Sequence, residues 1–317
     1  MRKYLLFTLL ILTLVLIISI QSLAHPSYKP IPKINPQESF LASTLETTPE
    51  TVPTQTIQAL PSQPANPTPI TVTNWQDLPI VPTLSPKALE IYKYGQSLGN
   101  NPNRFTKIGD GEISANWFLV TYDKVPAKYN LGPYKNLSKT KEYFAGSFER
   151  KSQTAKRGYN TTKILDSKEA NKSVCLKSES PLDCEIRIYK PSFALISMGT
   201  NQAWDAIVFE KELRIILDTL IKNGIVPILS TKADNVEGDH RINKIIAKLA
   251  TEYQLPLWNF WKACQTLPNK GLQKDLEHLT YFSKNDFDDQ KAMTFAWPNR
   301  NLTALLTLES MFKQINH

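Results

Sequence analysis

Residues 85–317 predict an α/β fold, a three-layer α/β/α sandwich around a central parallel sheet of the flavodoxin-like kind. Two observations carry this. Short, uninterrupted apolar runs alternate with amphipathic helical stripes, and polar motifs fall where those runs end.

The runs are clearest at Phe193-Ala194-Leu195-Ile196-Ser197-Met198 and Ile225-Val226-Pro227-Ile228-Leu229-Ser230, the composition of strands buried on both faces. Between them, Phe209, Leu213, Ile216, Leu217, Leu220 and Ile221 form one stripe of an α-helix, which Asn223-Gly224 ends. A second helix is expected from about Asp239 to Tyr253, with Ile242, Ile245, Ile246 and Leu249 inward, and Leu255-Pro256-Leu257-Trp258 follows as a short strand. Upstream, Ser85-Pro86 opens a helix that Leu98-Gly99 closes, because serine caps and proline suits the first helical position. Phe105 to Ile108 reads as the first strand, and Asn301 to Ile315 as a final amphipathic helix. From about Thr121 to Lys190 periodicity is weak, and helices with long loops are expected.

Two further segments precede this domain. Residues 1–24 join Met1-Arg2-Lys3, an apolar stretch from Tyr4 to Ile20, and the small residues around Ala24. That is a signal peptide, or an N-terminal membrane anchor through residues 4–20, since about 17 apolar residues is the lower limit for crossing a bilayer. Either exports the rest, so an extracellular protein, secreted or held on the outer face of the membrane, is expected. Residues 25–84 are rich in proline, threonine and glutamine, a disordered linker by composition. Cys175 and Cys184 bracket a short polar loop, and in an exported chain they are expected to be disulfide-bonded, leaving Cys264 as a buried thiol.

The net charge of +8 invites a nucleic-acid partner. The lysines are scattered and no nucleic-acid module is recognisable, so none is expected. Nor does the sequence carry a metal-ligand cluster, a phosphate-binding glycine loop or a dinucleotide fingerprint; no metal and no cofactor are expected. A monomer is expected.

In a parallel sheet, the carboxyl ends of the strands form the ligand crevice. Gly109-Asp110, Gly199-Thr200-Asn201 and Thr231-Lys232-Ala233-Asp234 sit at such ends, and Asp275-Leu276-Glu277-His278 comes after the last strand. Of the four histidines, His25 and His317 lie near the chain ends, and His240 opens a helix. His278 has a carboxylate three residues before it and is the candidate base, with Asp275 fixing its tautomer.

The order of these motifs resembles the SGNH or GDSL hydrolase family, whose blocks are Gly-Asp-Ser after the first strand, Gly-x-Asn-Asp after a middle strand and Asp-x-x-His near the C-terminus. The matching positions are Gly109-Asp110-Gly111, Gly199-Thr200-Asn201 and Asp275 to His278, with Gly158 as the glycine of the second block. The resemblance implies acyl transfer from an ester, of a small molecule or a cell-surface polysaccharide. His278 and Asp275 would be the base pair, Asn201, Gly158 and Gly111 the oxyanion donors, and Asp110, Glu112 and Thr200 substrate contacts. The departure is Gly111, which stands where the family's serine would be. Ser114 is the alternative nucleophile, although it lies nearly one helical turn, about 4–5 Å, further on. Two other readings remain open: His278 activates a water with Glu112 helping, or the domain is a catalytically inactive module that binds acylated cell-wall polysaccharide or peptide.

Overall fold

The computed structural model describes residues 74–124 and 129–316. The leader, residues 25–73 of the linker and the membrane-tether stretch 4–20 lie outside the described residues. Among the described residues, no helix is long and apolar enough to cross a membrane.

The strands are β1 (Asn101–Gly109), β2 (Tyr129–Asn130), β3 (Pro191–Ser197), β4 (Val226–Ser230), β5 (Leu257–Trp258) and β6 (Asn285–Asp286). The helices are α1 (Pro86–Ser97), α2 (Gly111–Ser114), α3 (Leu137–Tyr143), α4 (Thr161–Leu165), α5 (Pro181–Tyr189), α6 (Ala206–Lys222), α7 (Arg241–Glu252), α8 (Phe260–Cys264) and α9 (Ala296–Ile315). The central sheet has the order β1-β3-β4-β5, every pair parallel, with Ile108 opposite Ile196 and Phe193 opposite Val226. Every residue of β3 and β4 is buried, as expected of strands covered on both faces. Along β3 the side chains alternate. Phe193 stacks on Tyr92 of α1 and meets Phe144 beside α3, while Ser197, on the same face, receives a hydrogen bond from Arg300 of α9. Helices α6 and α7, packed on each other and on β4, cover the opposite face. The result is the three-layer sandwich.

Several boundaries differ from the sequence reading. Strand β1 begins at Asn101, and α9 begins at Ala296, so Arg300 falls inside a helix. Residues 74–84, placed in the linker by composition, pack on the domain. Trp75 is buried against His240 and Trp261 (centroids 5.8 and 4.9 Å), and Asn259 donates to the carbonyls of Trp75, Leu78 and Ile80. Backbone carbonyls are what a proline-rich segment still offers, and composition does not register them.

In the weakly periodic region, α5 opens with a capping box: Ser180 accepts from the Asp183 N–H while the Asp183 side chain accepts from that of Ser180. The segment around Thr154 covers the outer edge of β1, Gly109 N–H donating to Thr154 O (2.9 Å) and Lys156 N–H to Gly109 O (3.1 Å). Cys175 and Cys184 form a disulfide, and Cys264 is a buried free thiol.

Candidate active site

A cavity of about 940 Å³ opens at the carboxyl end of the sheet. Asp110, Gly111, Glu112 and Ser114 line it from the end of β1, Thr200 and Asn201 from the end of β3, and Gly158 and His278 from loops; Trp117, Tyr281 and Trp297 add an aromatic wall. Eight of the nine positions singled out for chemistry therefore meet around one space, and the ninth, Asp275, stands behind His278. His240 is not among the lining residues: its ring packs on Trp75 and Trp261, and burial lowers its pKa.

Asp275 to His278 is a tight turn. Asp275 Oδ1 accepts the N–H groups of Glu277 (3.1 Å) and His278 (3.0 Å), and Oδ2 lies 2.8 Å from His278 Nδ1. Gln273 closes the turn, its N–H donating to the His278 carbonyl at 2.8 Å. Those backbone hydrogen bonds, helped by the imidazole, hold the Asp275 carboxyl down at about 2. With Nδ1–H directed at the carboxylate, Nε2 is the nitrogen left for a reacting group. The His278 side chain is 62% exposed, which puts this pair at the cavity mouth.

The first motif also shapes the backbone at the end of β1. Asp110 is buried and caps α2, its Oδ1 accepting the Glu112 N–H at 3.1 Å. Burial pushes its carboxyl up to about 6, opposed by that hydrogen bond and by Arg300. Gly111 follows with an ordinary backbone conformation; a Cβ there would meet only Arg157 Cγ, at 3.7 Å. The backbone thus accommodates the serine side chain that this residue lacks. The Ser114 hydroxyl points back along its own turn to the Gly111 carbonyl (3.5 Å), with no hydrogen bond to His278 among the described residues.

The oxyanion candidates are held from behind. Asn201 sits on a turn, and its Nδ2 donates to the Tyr159 carbonyl at 3.0 Å, tying that turn to the Gly158 loop. Gly158 has φ +78°, and its N–H has no described acceptor. Thr200 lines the cavity and donates its hydroxyl to Asp234 Oδ2 at 2.7 Å. Asp234 and Glu237 both pair with Lys232, all three buried. These residues are buttress, and the polar rim expected at Lys232 is internal.

Arg300 was missed. It is fully buried, donates to Ser197 Oγ (2.7 Å) and places Nη1 3.4 Å from Glu112 Oε2. Glu112, 21% exposed, is pushed up to about 7 by burial, against the pull of that guanidinium.

No protein-family model and no curated protein matches this chain. Among solved structures it is similar to a GDSL-like lipase from Bacteroides thetaiotaomicron, at 15% identity and TM-score 0.40 over 71% of this chain and 98% of that one. It is also similar to a G-D-S-L family protein from Desulfitobacterium hafniense (12%, TM-score 0.38, 66% and 99%) and to an acetyl xylan esterase (15%, TM-score 0.37, 67% and 99%). At these identities and TM-scores the likeness carries nothing about chemistry; the three-layer architecture rests on the sheet order and its covering helices.

Proposed function

We propose that this protein is an ester hydrolase in which water takes the place of the nucleophilic serine. The observation that supports this best is the His278–Asp275 pair, aligned at 2.8 Å on a cavity that Gly111, with room for a side chain, also lines. In the proposed reaction a water beside Gly111 attacks the acyl carbon, and His278, its tautomer set by Asp275, handles the proton that the reaction moves. Asn201 and the Gly158 N–H, which has no acceptor among the described residues, are the donors for the developing oxyanion. The aromatic wall of Trp117, Tyr281 and Trp297 suits the alcohol portion, and an acylated surface carbohydrate fits both that wall and the export suggested by residues 1–24.

A fluorophosphonate probe tests the nucleophile. Turnover of an aryl acetate by a wild-type protein that the probe leaves unlabelled supports water as the attacking group. Labelling that disappears in Ser114→Ala would assign the attack to Ser114 instead. The absence of any side-chain oxygen at Gly111 favours one other reading, a binding module for acylated polysaccharide. That reading predicts retention on the acylated polymer with no turnover.

A further inference from the structure

Glu112 directly follows Gly111, is among the residues that line the cavity, and keeps its side chain 21% exposed. The one described partner of its carboxylate is the Arg300 guanidinium, at 3.4 Å. Arg300 belongs to a different layer of the fold, and its cation is enclosed by the rings of Phe118, Trp258, Phe260 and Trp297, 4.7 to 5.9 Å from their centroids. Its Nη2 donates to Ser197, while Nε and Nη1 make no hydrogen bond among the described residues. A buried guanidinium is costly unless ring faces and a counter-charge compensate it, and here both do. The arrangement holds the Glu112 carboxylate next to the Gly111 position with no hydrogen bond to its oxygens among the described residues.

We propose that Glu112 is a second proton carrier of the site, the group that takes the proton of the attacking water, and that Arg300 is the positioning residue that holds it. This rests on the hydrolase reading above. The water O–H bond breaks as its oxygen bonds to the acyl carbon, and the proton passes to the Glu112 carboxylate. The ester C–O bond then breaks, its electron pair leaving with the alkoxide, which takes a proton from the His278 imidazolium. The acid product departs, and the proton on Glu112 returns to His278 through solvent.

The groups facing Glu112 set when it can act. Asp110 and Asp234 favour its protonated form, and Arg300 and Lys232 its charged form. The buried Cys264 thiol also feels its charge. With burial the balance falls at about 7, so the carboxylate is present as a base from neutral pH upward.

The test is the pH–rate profile of p-nitrophenyl acetate hydrolysis by the full chain, compared for wild type, Glu112→Gln, Glu112→Asp and Arg300→Lys, each checked for folding by its melting curve. The wild type shows a limb near 7. Glu112→Gln loses that limb and on the order of 10²-fold in rate. Glu112→Asp, which keeps a carboxyl, recovers part of the rate and retains a limb, and Arg300→Lys moves the limb upward. A folded Glu112→Gln with the wild-type rate and limb would overturn this inference and leave the hydrolase reading standing. Should Glu112→Gln fail to fold, a Glu112→Asp profile without a limb would overturn it equally. Wild type at the buffer rate across the range would overturn both.

Discussion

Asp275 grips His278 twice, Oδ1 taking its backbone N–H at 3.0 Å and Oδ2 facing ring Nδ1 at 2.8 Å. Asp275→Asn keeps the first contact and inverts the second. An amide N–H facing Nδ1 makes that nitrogen the acceptor and moves the hydrogen to Nε2. The expected outcome is a fall in kcat on the order of 10²–10⁴-fold with a nearly unchanged melting temperature. Because the Asp275 carboxyl sits at about 2, the wild-type aspartate keeps its charge through mild acid.

Gly111→Ser is expected to fold as the wild type does. The added Cβ meets only Arg157 Cγ, at 3.7 Å, and replacing glycine in a helical turn contributes up to roughly 0.5–1 kcal/mol. The new hydroxyl stands where the resemblance puts the nucleophile, so the variant should be labelled by a fluorophosphonate and show a burst of p-nitrophenol that wild type lacks.

Asp110→Asn separates capping from charge. Asparagine caps a helix as well as aspartate does. In the wild type, burial raises the Asp110 carboxyl to about 6, so the folded state holds its proton more tightly than the unfolded state. This group therefore withdraws stability as pH rises from its ordinary value near 4 through 6, and the loss is complete above that. The variant should be more stable than wild type at pH 8, by about 1–3 kcal/mol, and no more stable at pH 4; urea unfolding at the two pH values measures it.

Gly109→Ala is expected to fail. At φ +145° a Cβ would lie 1.8 Å from the Ser197 carbonyl, where β1 and β3 close on each other under the site. No side chain can yield, since the obstacle is backbone. A cost of about 3 kcal/mol or more should appear as a lowered melting temperature or loss of soluble protein.

The legible parts of this chain are those where one physical cause dominates. The runs at β3 and β4 are buried on both faces, so hydrophobicity alone marks them, and the stripe from Phe209 to Ile221 has one face to bury. The site motifs were legible because strand ends in a parallel sheet share a rim. What escaped depends on partners far along the chain. Arg300, just ahead of the helix expected from Asn301, reads as a charged residue destined for solvent until Phe118, Trp258, Phe260 and Trp297 are brought around it. Asp234 and Lys232 read as part of the strand-end rim until Glu237 closes the buried triad that carries Thr200. Trp75 sits in composition typical of a linker and is buried by His240 and Trp261.

The central claim is that His278 moves protons for hydrolysis, and initial rates of p-nitrophenyl acetate hydrolysis by wild type and His278→Ala test it most directly. The account predicts a wild-type rate above buffer that falls to the buffer rate in His278→Ala. Wild type and variant both at the buffer rate, or both equally above it, would contradict it.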